Sequence, residues 1–232
     1  MRKLLPLILV PYLMVTAAIA GEGQRAVVVE LFTSQGCSSC PPADALLHEL
    51  AARDDVIALA LHVDYWDYIG WKDVFGKSAH TKRQHGYAKA GKRRMVYTPQ
   101  MIVNGQQDVV GNRPKDVGAL ILHHMDQSES VDLTLTRDGG EITISAHSLS
   151  GTTPLIVQMA RFVPLSEVSI TRGENAGHTY SYANVVTDLV ELGRWERDAP
   201  LTLKARAPED AYIAVILQQP GFGKIEAAAL IR

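Results

Sequence analysis

Cys37 and Cys40 are the two cysteines of the 232-residue chain, and they lie in the sequence CSSC. Two thiols at this spacing can close into a disulfide, and they are too few for a four-thiolate zinc site or a small disulfide-stapled fold. A structural bridge is the alternative, but so small a ring stabilises a fold by only about 2 kcal/mol in the loop-entropy estimate. We therefore expect thiol–disulfide chemistry, with Cys37 as the nucleophile and Cys40 as the resolving thiol.

The segments on either side of the pair are predicted to be a strand and a helix. Residues 26–33 (AVVVELFT) are a β-branched and aromatic run of strand length. Residues 41–53 (PPADALLHELAAR) repeat apolar side chains at helical spacing, and the two prolines suit a first helical turn. The Cys37 sulfur is then expected at a helix N-terminus, where free amides and the helix dipole lower the pKa of a thiol.

Later segments extend this arrangement into an α/β domain over residues 24–128. Residues 56–63 (VIALALHV) are almost continuously apolar, which is typical of a strand covered on both faces. Residues 96–103 predict another strand, and the Asn104-Gly105 pair that follows predicts a hairpin through a type I′ turn. Residues 113–127 return to helical spacing.

Four stretches carry a resemblance to a known family: VELFTSQGCSSCPPADALL, HVDYWDYIGWKD, VYTPQMIVNG, and RGENAGHTYSYANVV at residues 172–186. Together they resemble an exported bacterial thioredoxin-like family catalogued as a domain of unknown function. The resemblance implies a thioredoxin-like fold, export and a thiol–disulfide role. It also implies that Thr98-Pro99 is a cis-proline loop facing the cysteines, with the Thr98 backbone placed to pair with a substrate segment. A trans proline at a strand entrance is the alternative.

Thioredoxins usually carry a buried acid on the strand before the motif, and this chain offers Glu30 there. Glu30 lies seven residues before Cys37, and this spacing fits either a buried or a solvent-facing side chain. His62 and Asp64, at the end of the second predicted strand, are further candidates for proton transfer. Ordinary structural or surface roles are the alternative for all three.

Residues 1–20 have the features of a secretory signal peptide. Arg2 and Lys3 precede an apolar run that ends in small residues, which predicts cleavage near Ala20 and a periplasmic or secreted location. An uncleaved anchor is the alternative. No later apolar run is as long, so no stable membrane span is expected after cleavage. Protein thiols or disulfides of the exported compartment are the expected partners.

Residues 65–95 are predicted to be a helical insertion with an unusual composition. Its first eleven positions hold five aromatic residues, which suit either a core or an apolar surface for an extended partner: Tyr65, Trp66, Tyr68, Trp71 and Phe75. Residues 72–94 then hold eight Lys or Arg against Asp73. This run is either a solvated helix face or a site for an acidic partner. A nucleic-acid partner is not expected, since export is predicted and the formal net charge is −2.

Residues 130–232 are predicted to form a β-sandwich-like domain. The segment VDLTLTRDGGEITISAHS reads as a hairpin, and six further short strands are predicted at residues 155–163, 168–171, 182–192, 201–207, 212–218 and 225–231. A polar loop at residues 172–178 lies between strands. Glu174, Asn175 and His178 in it are expected either in a plain turn or as a ligand loop that reaches the cysteines.

The leading functional hypothesis is an exported thiol–disulfide oxidoreductase or redox folding factor that needs no cofactor. Its rival is a protein that binds a soft metal such as copper through Cys37 and Cys40, with help from His62 or Met101. No spacing defines a metal site beyond the two thiolates. The third hypothesis is a non-catalytic binding module.

Overall fold

The computed structural model describes residues 26–231, so the predicted signal peptide at 1–20 lies outside the described residues. The first half contains β1 Val27–Thr33, α1 Pro41–Ala51, β2 Val56–His62, α2 Ser78–Ala90, β3 Gln100–Val103, β4 Gln107–Val110 and α3 Pro114–Met125. The second half contains β5 Val131–Asp138, β6 Glu141–Ser148, β7 Leu155–Ser169, β8 Thr179–Trp195, β9 Leu201–Arg206, β10 Tyr212–Gln218 and β11 Ile225–Ile231. Within residues 26–231, no helix is long and apolar enough to cross a membrane.

The strands form a large mixed sheet and a small antiparallel one. The large sheet has the order β11-β10-β7-β8-β2-β1-β3-β4, and the small sheet has the order β5-β6-β9. β1 and β2 are parallel, whereas β3 lies antiparallel to β1. The chain is therefore a mixed α/β protein.

The structure differs from the predicted separation into an α/β domain and a β-sandwich. β7, β8, β10 and β11 belong to the same sheet as β1–β4, and the two groups meet where Ala60 of β2 pairs with Val185 of β8. Only the three-stranded sheet stands apart, and it packs on β7, β10 and β11 in the manner of a sandwich. Alternating residues identify strands but not the partners of those strands, so the sequence pattern could not reveal the shared sheet.

β7 and β8 form a hairpin much longer than predicted. The first two residues of the strand expected at 168–171 are the end of β7, and residues 170 and 171 lie outside it. β8 extends three residues beyond residues 182–192 at each end. Asn184 has a φ of 47°, and β8 pairs with β2 through a single residue pair at this point. Beyond it the hairpin reaches α1, where His48 Nε2 lies 3.0 Å from the Ser181 carbonyl oxygen.

Three apolar clusters fill the spaces between the layers. One face of β1, β2 and β3 packs on α1 and α3, the other face packs with β7, β10 and β11, and the third cluster lies beneath the small sheet. The cluster beneath α1 and α3 includes Leu31 and Leu47, and the cluster on the other face includes Phe32 and Ile216. Alternate residues of β1 thus lie in different clusters, as the pleat of a strand requires.

A buried polar network lies between α2 and the sheet. Arg83 Nε donates to Glu30 Oε1 (2.6 Å), and Tyr87 donates to the second oxygen of the same carboxylate. Gln158 and Gln218 accept from the Arg83 guanidinium. Buried charge is costly unless it is paired and hydrogen-bonded. Here the charges of Arg83 and Glu30 are paired with each other, and the neutral side chains around them complete the hydrogen bonds. The negative carboxylate of Glu30 helps keep the pKa of Arg83 above its ordinary value despite burial of the side chain, which acts in the opposite direction.

Candidate functional site

Cys37 and Cys40 are joined by a disulfide at the start of α1. Cys40 is the N-cap residue, and its carbonyl accepts the amides of Ala43 (2.8 Å) and Asp44 (3.1 Å). Ser38 and Ser39 are exposed, but Cys37 is only 2% exposed and Cys40 is fully buried. The predicted strand, turn and helix around the motif are confirmed, and the disulfide lies at the positive end of a helix.

The predicted Thr98-Pro99 loop lies in the same region. The Thr98–Pro99 peptide bond is cis, and β3 begins directly after it at Gln100. Trp66 links the loop to the motif: its indole N–H donates to Thr98 Oγ1 (2.7 Å), and its Cβ packs against Gly36. A methyl group added at Gly36 would lie 3.2 Å from that Cβ, so the close approach favours glycine here.

The aromatic insertion is hydrogen-bonded to the turn that leads into Cys37. Gln35 donates its amide to Asp73 Oδ2 (2.8 Å), and its side-chain oxygen accepts the Trp71 indole N–H (2.8 Å). The five aromatic residues are neither all core nor all surface. Tyr68 is 80% exposed and stacks on Trp66, whereas Phe75 packs against His62.

Four ionisable or polar side chains form a buried cluster at the α1 end of β1 and β2: Thr33, Asp44, His62 and Asp73. Thr33 and His62 are register partners on β1 and β2, and His62 Nδ1 lies 2.7 Å from Asp73 Oδ2. Thr33 Oγ1, Asp44 Oδ1 and His62 Nε2 are buried without a hydrogen-bond partner among the described residues. Orphaned polar atoms are rare in native structures and call for a chemical explanation.

The two carboxyls of this cluster have opposite pKa shifts. Burial raises the pKa of Asp44 to about 7, and the nearby charge of His62 opposes this only in part. Burial alone would raise the pKa of Asp73 as well, but hydrogen bonds from His62, Gln35 and Phe75 hold it below its ordinary value. Asp44 is therefore able to exchange a proton near neutral pH, and Asp73 remains ionised.

Of the three residues predicted for proton transfer, the structure places only His62 in this cluster. Glu30 points to the opposite face of β1, where Arg83 and Tyr87 bind it. Asp64 accepts the Thr81 hydroxyl (2.6 Å) beside α2. The sequence analysis did not identify Asp44 as a candidate for proton transfer, because it lies in an ordinary amphipathic helix. Its position one turn after Cys40, on the α1 face that also carries Ala43 and Leu47, is the signal that identifies it as buried.

The loop at residues 172–178 reaches the cysteines through Asn175. The Asn175 amide nitrogen donates to the carbonyl oxygens of Gln35 (2.9 Å) and Cys37 (3.1 Å). Glu174 and His178, the other two residues singled out in this loop, are exposed, and His178 stacks on Tyr180. The tip of the β7–β8 hairpin thus covers the motif with one buried side chain.

The basic insertion does not present all its charge to solvent. Arg83 is buried in the network with Glu30, and Arg93 pairs with Asp108 (2.6 Å). Lys77 donates to the Thr187 carbonyl (2.7 Å). The remaining exposed cations of residues 72–94 include Lys72, Lys82 and Lys89. Spacing alone could not separate the buried Arg83 and the paired Arg93 from the solvated lysines.

The copper hypothesis has Cys37 and Cys40 hold the ion with help from His62 or Met101. His62 is fully buried with one ring nitrogen on Asp73, and Met101 is buried in the cluster beneath α1 and α3. Across residues 26–231, no three His, Cys, Asp or Glu side chains are grouped so as to hold a metal ion.

These features define a mixed α/β protein with a covered disulfide at a helix N-terminus beside a cis-proline loop. Residues 28–218 match the family described as protein of unknown function (DUF1223), and the chain belongs to that family. It is also similar to a crystal structure of an Agrobacterium tumefaciens protein, with 33% identity, a TM-score of 0.78, and coverage of 90% of this chain and 95% of that one. No curated protein matches the sequence significantly.

Proposed function

We propose that this protein is an exported, thioredoxin-like thiol–disulfide oxidoreductase. The observation that carries the proposal is that the only two cysteines form a disulfide at the N-terminus of α1, in the region of the Thr98-Pro99 loop. A helix N-terminus favours thiolate over thiol, which is the state that attacks a disulfide. The signal-like residues 1–20 support export to a compartment where disulfides persist.

The reaction proceeds in two steps in the direction that reduces a partner. The Cys37 thiolate attacks a partner disulfide, forms a mixed disulfide, and releases one partner sulfur as a thiolate, which takes a proton from water. Cys40 then loses its proton and attacks Cys37 Sγ, which releases the second partner sulfur as a thiolate. Two electrons pass to the partner, and the Cys37–Cys40 disulfide forms. Oxidation of a partner dithiol is the reverse.

Asp44 is the proposed acceptor of the Cys40 proton. It lies one helical turn after Cys40, it is buried, and its pKa of about 7 matches a proton transfer at neutral pH. The His62–Asp73 pair lies in the same cluster, and the electrostatic influence of His62 on Asp44 links the two. Glu30 is not part of this proposal, because its carboxylate is held by Arg83 on the other face of the sheet.

Insulin reduction by dithiothreitol and oxidation of a reduced test substrate would test the proposal in both directions. We expect the wild type to accelerate at least one reaction well above the Cys37→Ser variant, and the exposed Ser38→Ala variant to match the wild type. A Cys40→Ser variant should accumulate mixed disulfides, since it cannot resolve them. Equal rates for the wild type and Cys37→Ser in both assays would contradict the proposal.

A further inference from the structure

We propose that the Gln35 and Cys37 carbonyls form a main-chain docking site for an extended polypeptide segment, and that Asn175 occupies this site until the partner displaces it. This inference deepens the proposed function, because it concerns how a partner reaches Cys37. The loop at residues 172–178 is the covering element. Its role is to restrict access to the disulfide.

The burial pattern of the loop supports this role. Residues 172–174 and 176–178 are all exposed, whereas Asn175 is only 5% exposed. A polar side chain buried by an otherwise solvated loop is held there by its contacts. Those contacts are the two carbonyls beside the disulfide. The same loop also approaches the insertion, where Gly173 lies against Trp71.

The hydrogen-bond chemistry indicates what can replace Asn175. Among the described residues, the Gln35 carbonyl accepts only from Asn175, and the Cys37 carbonyl accepts from Asn175 and the Cys40 amide. Removing Asn175 without a substitute would leave a buried acceptor unpaired, which is unfavourable. A partner must therefore bring an N–H donor along with its reacting sulfur. The main-chain amides of an extended segment supply such donors beside a cysteine.

The hydrogen bonds that close the loop at residues 172–178 are internal to the hairpin tip. Two hydrogen bonds close the base of the loop. The Ile170 amide donates to the His178 carbonyl (2.8 Å), and the Gly177 amide donates to the Ile170 carbonyl (2.8 Å). These bonds lie within the hairpin tip and not between the tip and the motif. Displacement of the tip breaks the two Asn175 bonds and its contact with Trp71, but it leaves the turn itself intact.

The first experiment measures access alone. The disulfide-bonded protein is reduced with excess dithiothreitol, and the free thiols are counted over time by maleimide labelling and mass spectrometry. We expect Asn175→Ala to be reduced at least tenfold faster than the wild type, and Asn175→Asp to behave likewise because a carboxylate cannot donate to the carbonyls. Glu174→Ala, in the same loop but exposed, should match the wild type. Equal rates for all four proteins would overturn the covering role of Asn175.

The second experiment tests the docking mode with a single-cysteine peptide whose thiol attacks Cys37 Sγ. This step forms a mixed disulfide and releases Cys40 as a thiol after it takes up a proton. A matched peptide carries N-methyl groups on the residues flanking its cysteine, which removes their N–H donors. We expect the N-methyl peptide to react with the wild type at least fivefold more slowly, and equal rates would overturn the docking mode. Neither experiment requires turnover, so a failure here is distinct from an inactive Cys37 in the insulin assay.

Discussion

Asp44 provides the most quantitative test of the buried cluster. The substitution is Asp44→Asn, which keeps the size of the side chain and removes its ionisation. Burial holds the pKa of this carboxyl at about 7 in the folded protein, against an ordinary value of 3.8. One pKa unit corresponds to about 1.4 kcal/mol, so ionised Asp44 lowers the free energy of unfolding by up to roughly 4 kcal/mol.

The sign of the pH dependence follows from which state holds the proton. Below pH 4, both the folded and the unfolded chain carry protonated Asp44, so the substitution changes little. Between about pH 4 and 7 the unfolded chain loses this proton first, and the wild type loses stability at up to about 1.4 kcal/mol per pH unit. Above about pH 7, ionised Asp44 has lowered the free energy of unfolding of the wild type by its full amount. Asp44→Asn should therefore become progressively more stable than the wild type between pH 4 and 7.

Urea unfolding of the disulfide-bonded proteins between pH 4.5 and 8 would measure this difference. Groups that lie away from Asp44 titrate in both proteins, so their contributions cancel when the two curves are subtracted, and the coupled His62 and Asp73 affect the shape of the difference curve. The exposed Asp54→Asn variant is the matched control, and its stability should stay close to that of the wild type. A difference for Asp44→Asn that is flat across this range, or an Asn variant that is less stable at pH 8, would refute the reasoning.

Two further predictions concern the other buried charges. Glu30→Gln should destabilise the protein by about 3–5 kcal/mol in urea unfolding, because it leaves the buried Arg83 charge unpaired. The exposed Glu167→Gln should have little effect, and a similar loss in both variants would argue against the ion pair as the cause. Asp73→Asn should cost at least about 2 kcal/mol at pH 7 through its charged hydrogen bonds, and this loss should shrink as the pH falls below about 4 and wild-type Asp73 becomes protonated. A loss that did not change with pH would show that shape, and not charge, explains the effect.

Local sequence patterns predicted the elements around the disulfide because those elements are defined by nearby residues. The run before Cys37 has strand composition, the residues after Cys40 have helical spacing, and Asn104-Gly105 adopts the positive φ values of 45° and 69° that its turn signal implies. The third strand starts at Gln100, four residues later than predicted, because residues 96–99 form the cis-proline loop.

The remaining features depend on contacts between distant parts of the chain. Asn175 lies 140 residues from Gln35, and no local pattern links them. The buried ion pair of Arg83 also depends on a contact between distant parts of the chain. In the sequence it is one cation of a basic run, and only the packing of α2 on β1 brings it to Glu30, 53 residues away. Periodicity reveals which side of an element is apolar, but a buried ion pair interrupts that signal on both of its elements.

The turn that leads into the disulfide is held by two remote segments. Asp73 and Trp71 of the insertion bind Gln35 from one side, and Asn175 of the hairpin tip binds its carbonyl from the other. Asp73 Oδ2 accepts from the Gln35 amide and also contacts His62, so one carboxylate oxygen joins the turn to the buried cluster. A movement of the turn that frees Cys37 therefore changes the surroundings of His62, and through the charge of His62 it alters the pKa of Asp44. This arrangement links the proposed opening of the site to the proposed transfer of the Cys40 proton to Asp44.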